Sequence, residues 1–214
     1  MARHRFLLGA AFLALAAAPL QAQRVQDWQY RWYWGIKGGM VAYTMPTSGQ
    51  TFTPHMGAEW LITQKRVALY LGYIRSFQSE QDTFTIQGLA SGQTVAFDSY
   101  QQIQVNVLAF LKDGKLQPYV GGGFVMTMLG NAHDPNNPNN ATVATAIQDA
   151  ASSAFLQVMG GAHYRFGRKA ALFAQYSYTP QGRNFLLAGG GHVIEGGIRY
   201  AFLASKESDP TIRR

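Results

Sequence analysis

Between Gln102 and Leu111 lies the clearest alternation in the chain, with Ile103, Val105, Val107, Ala109 and Leu111 on one parity and Gln102, Gln104 and Asn106 on the other. Successive side chains of an extended strand point to opposite faces, so this segment has one apolar face and one amide face. Three amides would be costly in an oily core but suit a polar enclosure. The arrangement fits a strand with its apolar face toward lipid and its amides toward a lumen.

The segment Glu195–Phe202 repeats the pattern, setting Ile194, Ile198, Tyr200 and Phe202 against Glu195, Gly197, Arg199 and Ala201. Six more stretches read the same way: 33–44, 54–63, 67–77, 117–128, 154–166 and 170–179. Tight turns are expected at Gln64–Arg66, at Lys112–Leu116 around Asp113-Gly114, and at Gly167–Lys169. They alternate with longer connections: turn-rich Thr44–Thr53, a long polar loop over Ser76–Asp98, a second from Asn131 (NAHDPNNPNN), and Pro180–Gly191. Eight strands in this rhythm predict an all-β, eight-stranded antiparallel up-and-down transmembrane barrel with both termini periplasmic. Trp34, Tyr164, Phe166, Tyr200 and Phe202 fall beside the short turns or termini, and Tyr73, Tyr176 and Tyr178 toward the long loops, as two aromatic girdles require. A soluble secreted barrel would put the apolar parity inside, and aromatics at strand ends rather than mid-strand speak against it.

Residues 1–22 combine a basic start, an apolar run from Phe6 to Ala18, Pro19 and small residues before a cut after Ala22, which reads as a cleaved signal peptide. The expected division is then a periplasmic leader over 23–32, the barrel over 33–202 and a polar tail over 203–214. No later stretch of about 18 apolar residues exists to form a membrane helix. With 23 Gly, 13% aromatic and only 14% charged residues, the composition suits many strands and few solvated helices. Absence of Cys excludes lipidation, disulfides and zinc-thiolate sites. Losing Arg3 and Arg5 with the leader takes the 18 basic residues to 16 against 11 acidic ones, so the net charge falls from +7 to +5. That charge is spread over strand ends with no basic run, so nucleic acid is not an expected partner.

The runs WGIKGGMVAY, PYVGGGF, MGGAHYRF, ALFAQYSYT and EGGIRYAF, in this order over nearly the whole chain, resemble the eight-stranded outer-membrane barrels of the OmpA-type transmembrane domain and the related opacity-protein and OmpW groups. The resemblance implies a Gram-negative-type cell outer membrane, with its lipid, lipopolysaccharide and barrel-assembly machinery as partners, and no cofactor. It also implies a C-terminal assembly signal at Glu195, Gly197, Tyr200 and Phe202. Two departures are noted: no peptidoglycan-binding domain follows the barrel, and a polar tail continues past Phe202.

Lys37, Glu59, His163, Glu195 and Arg199 all take the inward parity. Antiparallel pairing is expected to set Lys37 beside Glu59, and closure to bring the last strand beside the first, so that the five form one lumenal charge cluster. An eight-stranded barrel is only wide enough for its own side chains, and such charges pair to offset desolvation. The sharper reading is a gate or a proton-sensitive path through His163. Arg75, lipid-facing at the outer end of the third strand, suits either a lipopolysaccharide phosphate or a snorkelling interfacial arginine. An esterase would need a serine activated by a histidine, and none of His133, His163 and His192 lies in a His-x-Ser pair. His55 and Glu59 share a face, but four residues of strand separate them by about 13 Å, which is no metal site. The expected function is therefore non-enzymatic: a structural membrane protein or platform for outer loops whose ligand is unspecified. The alternative is a narrow passage for ions or a small hydrophobic molecule, as in the OmpW group.

Overall fold

The computed structural model describes residues 30–205 apart from 88, 90, 91, 167, 168, 183, 184 and 188. The expected signal peptide over 1–22 lies outside the described residues. In chain order the elements are β1 (Tyr30–Met45), β2 (Gly49–Gln64), β3 (Val67–Ser76), β4 (Glu80–Phe84), β5 (Gln93–Phe97), β6 (Ser99–Phe110), β7 (Leu116–Gly130), α1 (Ala141–Ala150), β8 (Ser152–Arg165), β9 (Ala170–Gln181) and β10 (Gly189–Ser205). Eight strands close in the order β1-β2-β3-β6-β7-β8-β9-β10 and back to β1, every neighbour antiparallel, while β4 and β5 form a separate hairpin.

Parity decides which side chains face in. Outside stand Ile36 (71% exposed), Met56, Phe124 and Ile194 (65% each), part of an apolar surface that runs round the barrel. Such a surface is at home in hydrocarbon, and closure leaves no strand edge to be solvated there. Inside, Gln102, Gln104 and Asn106 are buried, as the alternation along β6 predicts. The β2–β3 connection is tight because Lys65 (φ 51°) enters the left-handed region that two-residue hairpin turns use, and in the longer β6–β7 connection Gly114 takes a positive φ of 126° that glycine allows.

The other end departs from the expected loops. Thr44–Thr53 is no loop: β1 runs to Met45, β2 starts at Gly49, and only Pro46, Thr47 and Ser48 form the turn. Its free N–H groups explain the difference. Asp82 Oδ2 accepts hydrogen bonds from Thr47 N (3.0 Å) and Ser48 N (3.1 Å), and Oδ1 accepts one from Thr83 N (2.6 Å). Burial pushes the Asp82 carboxyl up, but the backbone N–H groups of Ser48, Thr47 and Thr83 outweigh it and hold the group below its ordinary value.

Ser76–Asp98 holds the β4–β5 hairpin, whose Phe84, Val95 and Phe97 turn inward. The Asn131 connection ends in α1, capped by Asn140 accepting from Val143 N at 3.3 Å, with Val143 and Ile147, one turn apart, forming its buried face. At the opposite end, β10 passes Phe202 and pairs Leu203, Ala204 and Ser205 with Trp32, Arg31 and Tyr30. A bulge at Trp32/Tyr33 absorbs Phe202 and lets the ladder resume. Leu203 therefore does not begin an unpaired tail, and Tyr30–Trp32 belongs to a strand rather than a leader.

Candidate functional site

The lumen is filled in three levels. At the short-turn end Tyr33, Phe110, Tyr119 and His163 are almost fully buried. His163 meets Tyr33 edge-on at 5.3 Å and Phe110 at 6.1 Å between ring centroids. Among the described residues neither of its ring nitrogens has a hydrogen-bond partner.

The middle level is polar, and its charges lie along three adjacent strands, β2, β1 and β10. Arg199 Nε donates to Glu59 Oε1, with both side chains wholly buried. The pair crosses β1 at Gly35, which lies opposite both residues. A Cβ there would stand 2.8 Å from Glu59 Cγ, so only glycine leaves room for the bridge. Arg199 also lies over Phe173, with Cζ 3.9 Å from the ring centroid. Phe173 reaches that position because Gly197 opposes it: a Cβ on Gly197 would sit 2.9 Å from Phe173 Cε1.

The second ion pair joins Lys37 Nζ to Glu195 Oε1 at 3.1 Å. Lys37 also donates to Tyr70 Oη (2.6 Å) and Gln104 Oε1 (3.0 Å). Glu195 Oε2 meets His55 Nε2 at 3.3 Å, across Gly39. Gln175 ties the two pairs together, donating to Glu195 Oε1 and Tyr70 Oη while its own Oε1 accepts from Tyr119 Oη and Arg199 Nη2. Buried ions are tolerated when both charge and remaining hydrogen-bond capacity are met, as they largely are here.

This arrangement corrects two expectations. Glu59 lies opposite Gly35, and Lys37 lies opposite Gly57, so strand register gives Glu59 to Arg199 and Lys37 to Glu195. His163 does not join the cluster, because β8 places it among aromatic rings at the short-turn end. His55, Tyr70 and Gln175 were missed as partners. Their inward parity was visible, but their heights in the barrel depend on pairing across strands far apart in sequence.

Above the polar level the interior turns apolar. Tyr43, Met45, Phe84, Ile86, Val95, Phe97, Ile147 and Leu187 are among the residues of one buried cluster, drawn from β1, the β4–β5 hairpin, α1 and the β9–β10 connection. They close the loop end as a cap. A cleft of about 350 Å³ opens in its surface between Ile86, Ala150, Phe185 and Leu186, with Asp149 at its rim.

Outside, Tyr200 and Phe202 are exposed on the apolar wall at the short-turn end. Phe202 lies 6.3 Å from both Trp32 and Trp34, and Trp34 stacks on Trp60 at 5.4 Å. Arg75 is outward at the loop end, 5.9 Å from the Phe77 ring centroid. The described histidines make no pair with a serine: His133 meets Asn131 O and His192 meets Tyr176 Oη.

A closed eight-stranded barrel with a lipid-compatible wall and a side-chain-filled bore is the fold of the outer-membrane barrels. Neisserial surface protein A matches it with a TM-score of 0.54 and 14% identity, over 80% of this chain and 97% of that one. The N-terminal barrel domain of Pseudomonas aeruginosa OprF gives 0.46 and 11%, over 81% and 99%. E. coli outer membrane protein W gives 0.45 and 11%, over 83% and 100%. At 14% identity the likeness to the Neisserial protein is one of fold alone. No protein-family model and no curated protein matches the chain.

Proposed function

We propose that this chain is a non-enzymatic outer-membrane protein, a closed barrel that carries a folded recognition cap at its loop end. The observation that carries this reading is the filled bore: an aromatic level, two ion pairs in one hydrogen-bonded network, and an apolar cap in series. In this reading residues 1–22 direct export and the short-turn end faces the periplasm. Glu195, Gly197, Tyr200 and Phe202 form the signal read by the assembly machinery, and Arg75 meets lipopolysaccharide phosphates. The cap, with its cleft, is where a surface ligand binds, since connecting segments on a rigid scaffold carry recognition.

A narrow passage for ions or a small hydrophobic molecule would require the cap and both ion pairs to part together. Conductance across a planar bilayer separates the two. The refolded protein is expected to give no stable single-channel current, and sustained openings would replace this reading with the transport one.

A further inference from the structure

All three short turns carry cations. Lys65 and Arg66 join β2 to β3, Lys112 and Lys115 join β6 to β7, and Lys169 precedes β9; all five are exposed. Among the described residues of these turns the acidic group is Asp113, whose Oδ2 lies 3.7 Å from Arg66 Nη2. Among the described residues the loop end has the opposite balance, with Glu80, Asp82, Asp98, Asp134 and Asp149 on its connections against Arg75 near the end of β3. The barrel is thus electrically polarised along its axis.

The depth of the basic ring names its ligand. Val67, Leu111, Leu116 and Phe166 are outward and about half exposed or more. Each stands one to three residues from one of the five cations. A strand advances about 3.3 Å per residue, so the charges lie just past the hydrocarbon boundary, at the level of the headgroups. Long basic side chains reach that level with their stems against the apolar wall. The turns are too short to project toward anything more distant, and the group that meets an ammonium at this depth is a lipid phosphate.

We propose that this ring selects anionic phospholipids in the leaflet around the short-turn end. The inference rests on the membrane-spanning reading above and deepens it by naming the lipid class.

Trp32, Trp34 and Trp60 all lie at the same end and serve as built-in reporters. The protein is refolded into vesicles containing either brominated phosphatidylglycerol or brominated phosphatidylcholine, and tryptophan quenching is compared. The phosphatidylglycerol is expected to associate about fivefold more strongly, the factor that one basic residue supplies near an anionic surface. The preference should collapse toward one in about 0.5 M salt. It should also collapse in the Lys65→Gln, Arg66→Gln, Lys112→Gln, Lys115→Gln, Lys169→Gln variant, and fall part-way in Lys112→Gln with Lys115→Gln, should the fivefold variant not fold. Asp98→Asn should leave it intact. Equal quenching by both lipids in the unaltered protein, or an unchanged preference in a folded basic-ring variant, overturns the proposal. Equal quenching together with co-sedimentation on purified cell-wall sacculi would assign the ring to that polymer instead. Lipid preference is read in vitro, so its failure leaves the cellular location standing. Fractionation of the protein away from the outer membrane would sink the location without touching the preference.

Discussion

Between the aromatic level at the short-turn end and the level of Tyr100 the interior is held by amides, hydroxyls and two buried ion pairs, whereas above Tyr100 Phe84, Phe97, Ile147 and Leu187 close the mouth with no charge among them. The two regions are equally dry and are built on different terms. In the lumen, the barrel wall already has its apolar surface in lipid and its backbone satisfied by closure, so the inward face is free to be polar provided that its charges are paired. The cap has no lipid around it and must hold together by burying apolar area of its own. An interior can therefore be polar where an outer medium supplies the hydrophobic drive, and cannot where it does not.

The largest effect that tests this contrast is loss of one ion-pair partner. Arg199→Leu should destabilise the barrel by about 3–5 kcal/mol, because Glu59 is left charged and buried, and adding Glu59→Gln should recover part of the loss. Urea unfolding in vesicles measures these and Glu59→Gln alone, and a double variant whose loss equals the sum of the two single losses would mean that the pair carries no coupling. The cap should respond differently. Leu187→Ala removes a fully buried side chain and should cost about 2–4 kcal/mol. That cost should appear as protease cleavage in the loops with heat-dependent gel mobility unchanged; a barrel that melts with its cap would dissolve the distinction.

The smallest effect lies between cap and wall, at Asp82. Its carboxyl is held below the ordinary value of 3.8, so its contribution is complete above that pH and is lost as pH falls through the lower folded value. Asp82→Asn should weaken the Pro46–Ser48 turn by about 1–3 kcal/mol at neutral pH. Titrating the Thr47 and Ser48 amide resonances below pH 4 should reproduce that loosening in the native protein and not in the variant; amides that ignore the titration would remove Asp82 from the turn.

The same contrast explains what the sequence made legible. Parity along Gln102–Leu111 and Glu195–Phe202 is a local property, and it placed the strands, the lipid face and every inward charge. Which charges meet is a matter of register, and a shift of two residues moved Glu59 from Lys37 to Arg199. His163 shares the inward parity of the cluster, but nothing local records that its height is that of the aromatic rings. The cap left the faintest trace, because Phe84, Val95 and Phe97 sit in short strands among polar residues and Val143 and Ile147 are a lone pair at helical spacing. Their burial depends on elements from four parts of the chain meeting over one mouth.

The glycine-spanned bridges also have a consequence for the order of events. Glu59 and Arg199 are 140 residues apart, Lys37 and Glu195 are 158 apart, and both pairs join the first hairpin to the last strand. Until β10 docks on β1, a sheet that has formed through β9 holds Lys37 and Glu59 without their counter-charges. Such a sheet has little reason to sink fully into hydrocarbon ahead of closure. Contacts between the two ends of the barrel sequence are thus the ones that neutralise it, which makes insertion and closure a single late step.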